Sequence, residues 1–216
     1  TYHLFRDDFY SVDSTAVTGQ WGITADGAGT ATVVDRSGGW ISIATGGTDN
    51  DECYLYSLSE AWLLAAGKPV FFEAKIEVTE ANTDDANIIV GLIDANGANT
   101  LLDNGAGPSA SYSGAVWFKV DGGTVWQFES SNAGVQVTTA SAGAFVSATA
   151  YRLGFTFDPA DGTTGSITPY LNGVAGTPHA ITLASLTEMN LVLGAKAGGG
   201  NVEAPKVDYV QVLAVR

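Results

Sequence analysis

The sequence has little of what proteins most often use for chemistry or for binding polyanions. It contains nine Lys and Arg against 23 Asp and Glu, for a net charge of −14 at pH 7. Nucleic acids and anionic membrane surfaces are bound by clustered basic side chains, so neither is expected as a partner. Cysteine occurs once, at Cys53, which excludes a disulfide within the chain and fits a small buried side chain. No run of about 18 apolar residues is present, so no membrane-spanning helix is predicted.

Glycine is abundant, with 27 residues that fall mostly between apolar runs, as expected for many short strands joined by tight turns. The clearest stretch is 69–93. Its first half alternates apolar and polar residues over 70–78, which predicts a strand with one face in the core. Its second half, residues 88–93, is apolar at every position and predicts a central strand covered on both faces. We expect these two strands to form an antiparallel pair near the middle of a large sheet.

About thirteen strands can be assigned along the chain, including a hairpin over 115–129 and another over 151–171. At most one short helix is predicted, over residues 59–67, with an irregular strand as the alternative. No linker or internal repeat divides the sequence. We therefore predict an all-β fold, a two-sheet antiparallel sandwich formed as a single domain by residues 1–216.

Three segments carry a resemblance to a known superfamily: Arg6-Asp7-Asp8-Phe9 with Trp21 following, Phe155-Thr156-Phe157-Asp158 followed by Tyr170-Leu171-Asn172-Gly173, and Val207-Asp208-Tyr209-Val210-Gln211-Val212. Together they resemble the concanavalin A-like (laminin G-like) jelly-roll superfamily, in which the closing strand returns beside the first. The whole pattern is most similar to jelly-roll virion proteins of tailed bacteriophages, which are often encoded near the major capsid protein. The resemblance implies a concanavalin A-like jelly roll and a place on a capsid surface.

The superfamily includes glycoside hydrolases, which need two carboxylates held a few ångströms apart. The Glu-x-Asp-x-x-Glu pattern of the family's glucanases is absent from this sequence. Glu73 and Glu77 flank Lys75 on a predicted solvent face, and residues 88–93 contain no acidic side chain. We therefore expect no enzymatic activity, with an unusual glycoside hydrolase as the lesser alternative.

Two further sites are predicted, each with a structural alternative. Trp117 and Trp126 lie on the two arms of one hairpin and could stack on a sugar, or could form a cross-strand pair in the core. Calcium, the one cofactor considered, would find oxygen ligands in two turns. The ligands would be Asp49 and Asp51 in one turn and Asp94 and Asn96 in the other. The alternative is that Asp and Asn are there because they favour turns.

These observations predict a non-catalytic virion structural protein, a decoration or accessory protein that stabilises a phage head by surface contacts. Its partners would be the major capsid protein or other virion proteins, and it would form a homo-oligomer to match a lattice axis. Residues 1–10 and 94–112 are the expected contact regions. The alternative is a lectin-like carbohydrate-binding module in an extracellular location, with a glycan as partner.

Overall fold

The computed structural model describes residues 1–11, 20–160 and 162–215, and these form strands and turns with no helix. The sixteen strands are β1 Tyr2–Asp7, β2 Trp21–Ala25, β3 Thr30–Val34, β4 Trp40–Ala44, β5 Glu52–Ser57, β6 Val70–Val78, β7 Ala86–Ile93, β8 Gly114–Lys119, β9 Val125–Asn132, β10 Val135–Ala144, β11 Thr149–Asp158, β12 Thr164–Leu171, β13 Val174–Ala175, β14 His179–Thr182, β15 Asn190–Ala197 and β16 Lys206–Val215. They pair antiparallel in two sheets, which confirms the predicted all-β sandwich.

The nine-stranded sheet runs β13-β12-β11-β6-β16-β4-β3, with β1 pairing with β16 and β14 pairing with β12. The closing strand lies beside the first, as the superfamily resemblance implies, with Phe5 opposite Val212. The hairpin of β11 and β12 is also as predicted. Strand β6 shows the expected alternation, because every second residue from Val70 to Val78 is buried.

The seven-stranded sheet runs β10-β9-β8-β7-β15-β5-β2. The expected pairing of β6 with β7 is wrong, because the two strands lie in different sheets. β6 pairs with β11 and β16, whereas β7 pairs with β8 and β15. A short polar connection favours a hairpin, but here the chain crosses from one sheet to the other. The prediction that β7 is covered on both faces is confirmed, since all eight of its residues are buried.

The main core lies between the sheets and contains Trp21 and Trp62, each no more than 8% exposed. Cys53 is fully buried there, and burial raises the pKa of its thiol to about 12. Trp40 is also buried, but its ring packs under the side chains of Arg36 and Lys75, away from the main core. The predicted helix over residues 59–67 is absent, and the chain there is held by isolated bridges between Trp62 and Met189 and between Ala65 and Lys68. The described residues include no helix long and apolar enough to cross a membrane.

Candidate functional site

The outer face of the seven-stranded sheet, which points away from the main core, is half closed by a long loop. We call residues 94–113, which connect β7 to β8, the covering loop. A second apolar cluster is buried between the loop and the sheet, separate from the main core. Its members are Tyr54, Ile89, Ile93, Leu101, Tyr112, Val116, Phe118 and Val192. Leu101 and Tyr112 of this segment are at most 2% exposed, so these two side chains are not available for contacts with another protein. The expectation that residues 94–112 form a contact region stays a prediction.

Buried polar bonds fasten the covering loop over β5 and β15. The ammonium group of Lys196 donates to Asn99 Oδ1 at 2.7 Å, to the Leu101 carbonyl at 3.1 Å and to Asp103 Oδ1 at 2.5 Å. The carboxylate of Glu52 lies 3.3 Å from Lys196 Nζ and accepts the Asn99 backbone N–H at 3.0 Å. The Lys196 and Glu52 side chains are only 1% and 4% exposed, so their charges compensate one another away from water.

The other half of this face, over β9, β10 and the end of β8, is open and forms a groove of about 280 Å³. Its floor and walls are Leu102, Gly105, Ala106, Gly107, Pro108, Ala110, Phe118, Val120, Gln127, Glu129, Gln136 and Thr138. Strand β9 turns Trp126 and Phe128 into the main core, so its alternation presents Gln127 and Glu129 to the groove. We call this the outer-face groove.

Glu129 is the fixed centre of the outer-face groove. Its carboxylate accepts hydrogen bonds from the Tyr112 hydroxyl at 2.9 Å, from Gln136 Nε2 at 2.9 Å and from the Thr138 hydroxyl. Burial, followed by the neighbouring Glu129 charge, raises the pKa of Tyr112 well above its usual range. Tyr112 is therefore a neutral donor that holds Glu129 in place, and an unsuitable general base.

Two amides of the outer-face groove retain hydrogen-bonding capacity. Gln136 Nε2 also donates to the Ser109 carbonyl at 3.1 Å, but its side-chain oxygen makes no hydrogen bond to the described residues. The Gln127 side chain makes none at all to the described residues, and it is only half-buried. These groups can donate to and accept from a ligand hydroxyl without first breaking a bond inside the protein.

Trp117 and Trp126 are core residues, so the prediction that they stack on a sugar is wrong. They are 1% and 0% exposed, and both point between the sheets. Trp117 Nε1 donates to the Gly154 carbonyl at 2.8 Å, and Trp126 packs edge-on against Phe145 and Tyr151 with ring centroids 5.5 Å apart. Trp126 is enclosed by the core, and Trp117 reaches only the bottom of a cavity between β10 and β12, so neither ring offers an exposed face on which a sugar could stack.

The four residues predicted as calcium ligands lie between strands, and two of them already accept hydrogen bonds from backbone N–H groups. Asp51 accepts the Thr48 N–H at 2.9 Å, and Asp94 accepts the Ser113 N–H at 2.7 Å. Asp49 and Asn96 make no side-chain hydrogen bond to the described residues. Within residues 1–11, 20–160 and 162–215, no three His, Cys, Asp or Glu side chains come together in a metal-binding arrangement. Calcium binding through these four residues stays a prediction.

The strands of the seven-stranded sheet present two acidic side chains on its outer face, Glu52 on β5 and Glu129 on β9. Strands β15, β7 and β8 lie between them, so four strand spacings of about 4.8 Å separate them by about 19 Å. Glycoside hydrolysis needs carboxylates about 5–5.5 Å or about 6.5–9.5 Å apart. Glu73 lies in the nine-stranded sheet, where it accepts hydrogen bonds from Tyr209 and Gln211 at 2.6 and 3.3 Å.

One buried serine–histidine contact lies between the sheets. Ser130 Oγ is 3.0 Å from His179 Nδ1, and Thr139 Oγ1 is 2.8 Å from His179 Nε2. Burial lowers the pKa of His179, which favours the neutral ring. Both ring nitrogens bond to hydroxyls, so the pair joins the two sheets and lacks the carboxylate of a catalytic triad.

Sequence reasoning missed the residues of the outer-face groove: Gln127, Glu129, Gln136 and Thr138. One signal was available, because alternation over β9 places Gln127 and Glu129 together on the face opposite Trp126. Gln136 and Thr138 could then follow from their register, which sets them opposite Ser131 and Glu129. The loop that walls the groove had no comparable signal in its Gly, Ala and Asn.

No protein-family model matches the chain, and no curated protein matches it. Solved structures do match over nearly the whole length. An endo-1,3-β-glucanase from Streptomyces sioyaensis is 15% identical with a TM-score of 0.67, covering 99% of this chain and 96% of the glucanase. Peanut lectin is 13% identical with a TM-score of 0.61, covering 100% and 98%. A carbohydrate esterase of the Shiga toxin-encoding bacteriophage phi24B is 16% identical with a TM-score of 0.58, covering 90% and 89%.

The chain has the concanavalin A-like jelly-roll fold. This confirms the fold that the resemblance drawn from the sequence implied. Identities this low show the fold alone, and these three proteins differ in activity. The function must therefore be argued from the side chains of this chain.

Proposed function

We propose that this protein binds carbohydrate in the outer-face groove without cleaving it. The observation that carries the proposal is the set of polar groups around Glu129. Three donors hold the carboxylate in one orientation, and beside it the Gln127 amide makes no hydrogen bond to the described residues. The accessible lining of the groove is mostly polar, with apolar groups of Leu102, Pro108 and Phe118 among it. Amide and carboxylate oxygens accept bonds from sugar hydroxyls, while these apolar groups can contact the C–H faces of a ring.

The ligand is proposed to be a neutral glycan. Among the residues that the structure describes, no Lys, Arg or His lines the outer-face groove, so the carboxylate of a uronic acid would find no cation among them. The Glu129 carboxylate and the net charge of −14 oppose an anionic ligand as well. Absence of cleavage is proposed because the outer face offers Glu129 without a second strand carboxylate at a catalytic distance.

A glycan array followed by calorimetry tests this proposal. We expect binding to at least one neutral oligosaccharide and to no polyuronate, with the affinity reduced at least about tenfold, or 1.4 kcal/mol, by Gln127→Ala. The matched control is Gln211→Ala on β16, a glutamine on the other sheet, which should leave binding unchanged. Binding to polyuronates alone, or full affinity in Gln127→Ala, contradicts the proposed site. Release of shorter products from a bound glycan contradicts the absence of catalysis.

A second candidate is the virion structural role, which two observations favour. One neighbour in fold is a bacteriophage protein, and the N-terminal segment exposes large apolar side chains. Tyr2, Leu4 and Tyr10 are 68%, 63% and 76% exposed. We propose that such a surface would contact a major capsid protein or another virion protein, placing the chain on a capsid surface.

Deleting residues 1–10 is not a clean test of attachment, because β1 is paired with β16 and Phe9 is fully buried. Replacing Tyr2, Leu4 and Tyr10 with serine removes the exposed apolar surface and keeps the paired strand. The measurement is mass spectrometry of particles banded on a density gradient. Near-stoichiometric peptides of this chain beside a major capsid protein, lost in the triple variant, support the role, and absence from the particle band contradicts it.

A further inference from the structure

Strand β10 is the longest strand at an open edge of the sandwich. It spans ten residues, Val135–Ala144, and within the described chain it pairs with β9 alone. The edge strands β3 and β2 have five residues each, and β13 has two. A free edge of this kind presents unpaired backbone N–H and C=O groups to any other strand.

Natural edges are blunted by lysine, proline, inward-pointing charge or a β-bulge. Residues 135–139 of β10 have none of these, and the irregularity of the strand lies beyond them, between Thr139 and Gly143. Its sequence, VQVTTASAGA, contains no charged residue and no proline, in a chain of net charge −14. Val135 and Val137 are 74% and 43% exposed on the side of the strand that faces the nine-stranded sheet. Charge would repel two copies of this chain over most surfaces, but this edge carries none.

The flat part of β10 is complementary to itself. Its regular pairing with β9 runs from Val135 to Thr139, and the register shifts between Thr139 and Gly143. The centre of the flat part is Val137. In an antiparallel pair related by a two-fold axis there, Val137 faces Val137 of the second copy and Val135 faces Thr139. Gln136 faces Thr138 on the opposite side of the strand.

We propose that β10 pairs antiparallel with β10 of a second copy of this chain, about a two-fold axis at Val137. The two seven-stranded sheets then form one sheet of fourteen strands. Gln136 and Thr138, which line the outer-face groove, come to the junction, so the two grooves lie side by side on one face. The dimer does not depend on carbohydrate binding, and a glycan that spans both grooves would bind with avidity.

The dimer is expected to be weak and dependent on concentration. A five-residue strand pair buries less surface than a standard interface, which points to a dissociation constant on the order of 1–100 µM. Sedimentation velocity over a concentration series measures it. We expect Val137→Lys to raise the dissociation constant at least about tenfold, because like charges would meet at the axis. The matched control is Val33→Lys on the edge strand β3, a valine of similar exposure, 40%.

Cysteine cross-linking tests the register without relying on affinity. Val137→Cys places two thiols directly opposite, with Cβ atoms about 4.5–5.5 Å apart, and should form a disulfide-linked dimer under mild oxidation. Val135→Cys places them four residues out of register, roughly 13 Å apart, and should not. The native Cys53 is buried and does not compete.

Three outcomes overturn the proposal. The first is a wild-type chain that stays monomeric up to millimolar protein. The second is a dimer as strong in Val137→Lys as in Val33→Lys. The third is cross-linking of Val135→Cys as fast as that of Val137→Cys. Thermal melts of each variant confirm that the fold is intact, which these exposed positions should allow.

Discussion

The two halves of the outer face of the seven-stranded sheet use the same strand alternation and end in different states. Over β5, β15 and β7 the sheet presents Tyr54, Ile89 and Val192, and the covering loop buries them. Over β9, β10 and the end of β8 it presents Gln127, Glu129 and Thr138, and the face stays open. The covered half contains the buried ion pair of Lys196 and Glu52, whereas the Gln127 amide of the open half bonds to none of the described residues. The difference teaches that the loop, as much as the sheet, decides where a ligand can bind.

The largest loss of stability is expected when the ion pair that fastens the covering loop is removed. Lys196→Met leaves Glu52 buried without a cation and frees Asn99 and Asp103, which should lower the free energy of unfolding by about 3–5 kcal/mol. Urea unfolding measures the loss, and limited proteolysis should cut within residues 94–113. The control is Lys75→Met, whose pair with Asp208 is more exposed and should cost less than about 1 kcal/mol. Equal losses of unfolding free energy in Lys196→Met and Lys75→Met would show that the buried pair holds the loop no more strongly than an exposed pair.

The next largest loss of stability is expected from shortening Leu101, the apolar side chain that the covering loop packs against the sheet. Leu101→Ala leaves a cavity over Tyr54, and we expect a loss of about 2–4 kcal/mol in urea unfolding. Leu4→Ala, at a leucine that is 63% exposed, should change the unfolding free energy by less than about 0.5 kcal/mol. If both substitutions are neutral, the covering loop packs too weakly to close that half of the face.

Glu203 offers a contrast with Glu52, because it is buried and, within the described part of the chain, forms no ion pair of the kind that joins Glu52 to Lys196. It is fully buried and accepts the Ala81 N–H at 3.3 Å. Burial raises its pKa to about 7, with the charges of Glu80 and Asp85 adding to the effect and Lys119 opposing it. The folded state therefore holds a proton that the unfolded state releases, so stability should fall as pH rises from about 4.5 to about 7.

Glu203→Gln removes this titration and keeps an acceptor for the Ala81 N–H. The free energy of unfolding of the variant should increasingly exceed that of the wild type as pH rises, by about 1–3 kcal/mol at pH 8. Urea unfolding at pH 5 and pH 8 measures the difference. A difference in unfolding free energy that is the same at pH 5 and pH 8 contradicts the titration assigned to Glu203.

Much of the fold could be predicted from local pattern. Strand β6 could be predicted with its bounds because five alternate apolar residues fit only a strand with one buried face, and the core positions of Trp21 and Trp62 followed from their apolar runs. The partner of β6 could not be predicted in the same way. Alternation fixes which face of a strand is buried but contains nothing about which sheet it joins.

The candidate site was harder to predict, for a related reason. Trp117 and Gln127 lie on neighbouring strands, and only the position of the second sheet decides which of them faces a ligand. The buried bonds of Lys196 join residues more than ninety positions apart in sequence, as its contact with Asp103 shows. The local sequence around a lysine in an apolar strand does not predict a partner so far away in the chain.

The smallest effect on stability is expected in the open half. The Gln127 side chain bonds to none of the described residues, so Gln127→Ala should change the unfolding free energy by less than about 0.5 kcal/mol. Glu129→Ala is the contrasting variant, because it leaves the buried Tyr112 hydroxyl without its acceptor at a cost of about 1–3 kcal/mol. Both should lose affinity for a neutral glycan in calorimetry. If Gln127→Ala loses affinity without losing stability, the Gln127 amide is a ligand contact. If both variants keep the wild-type affinity, the open half of the face is not a binding site.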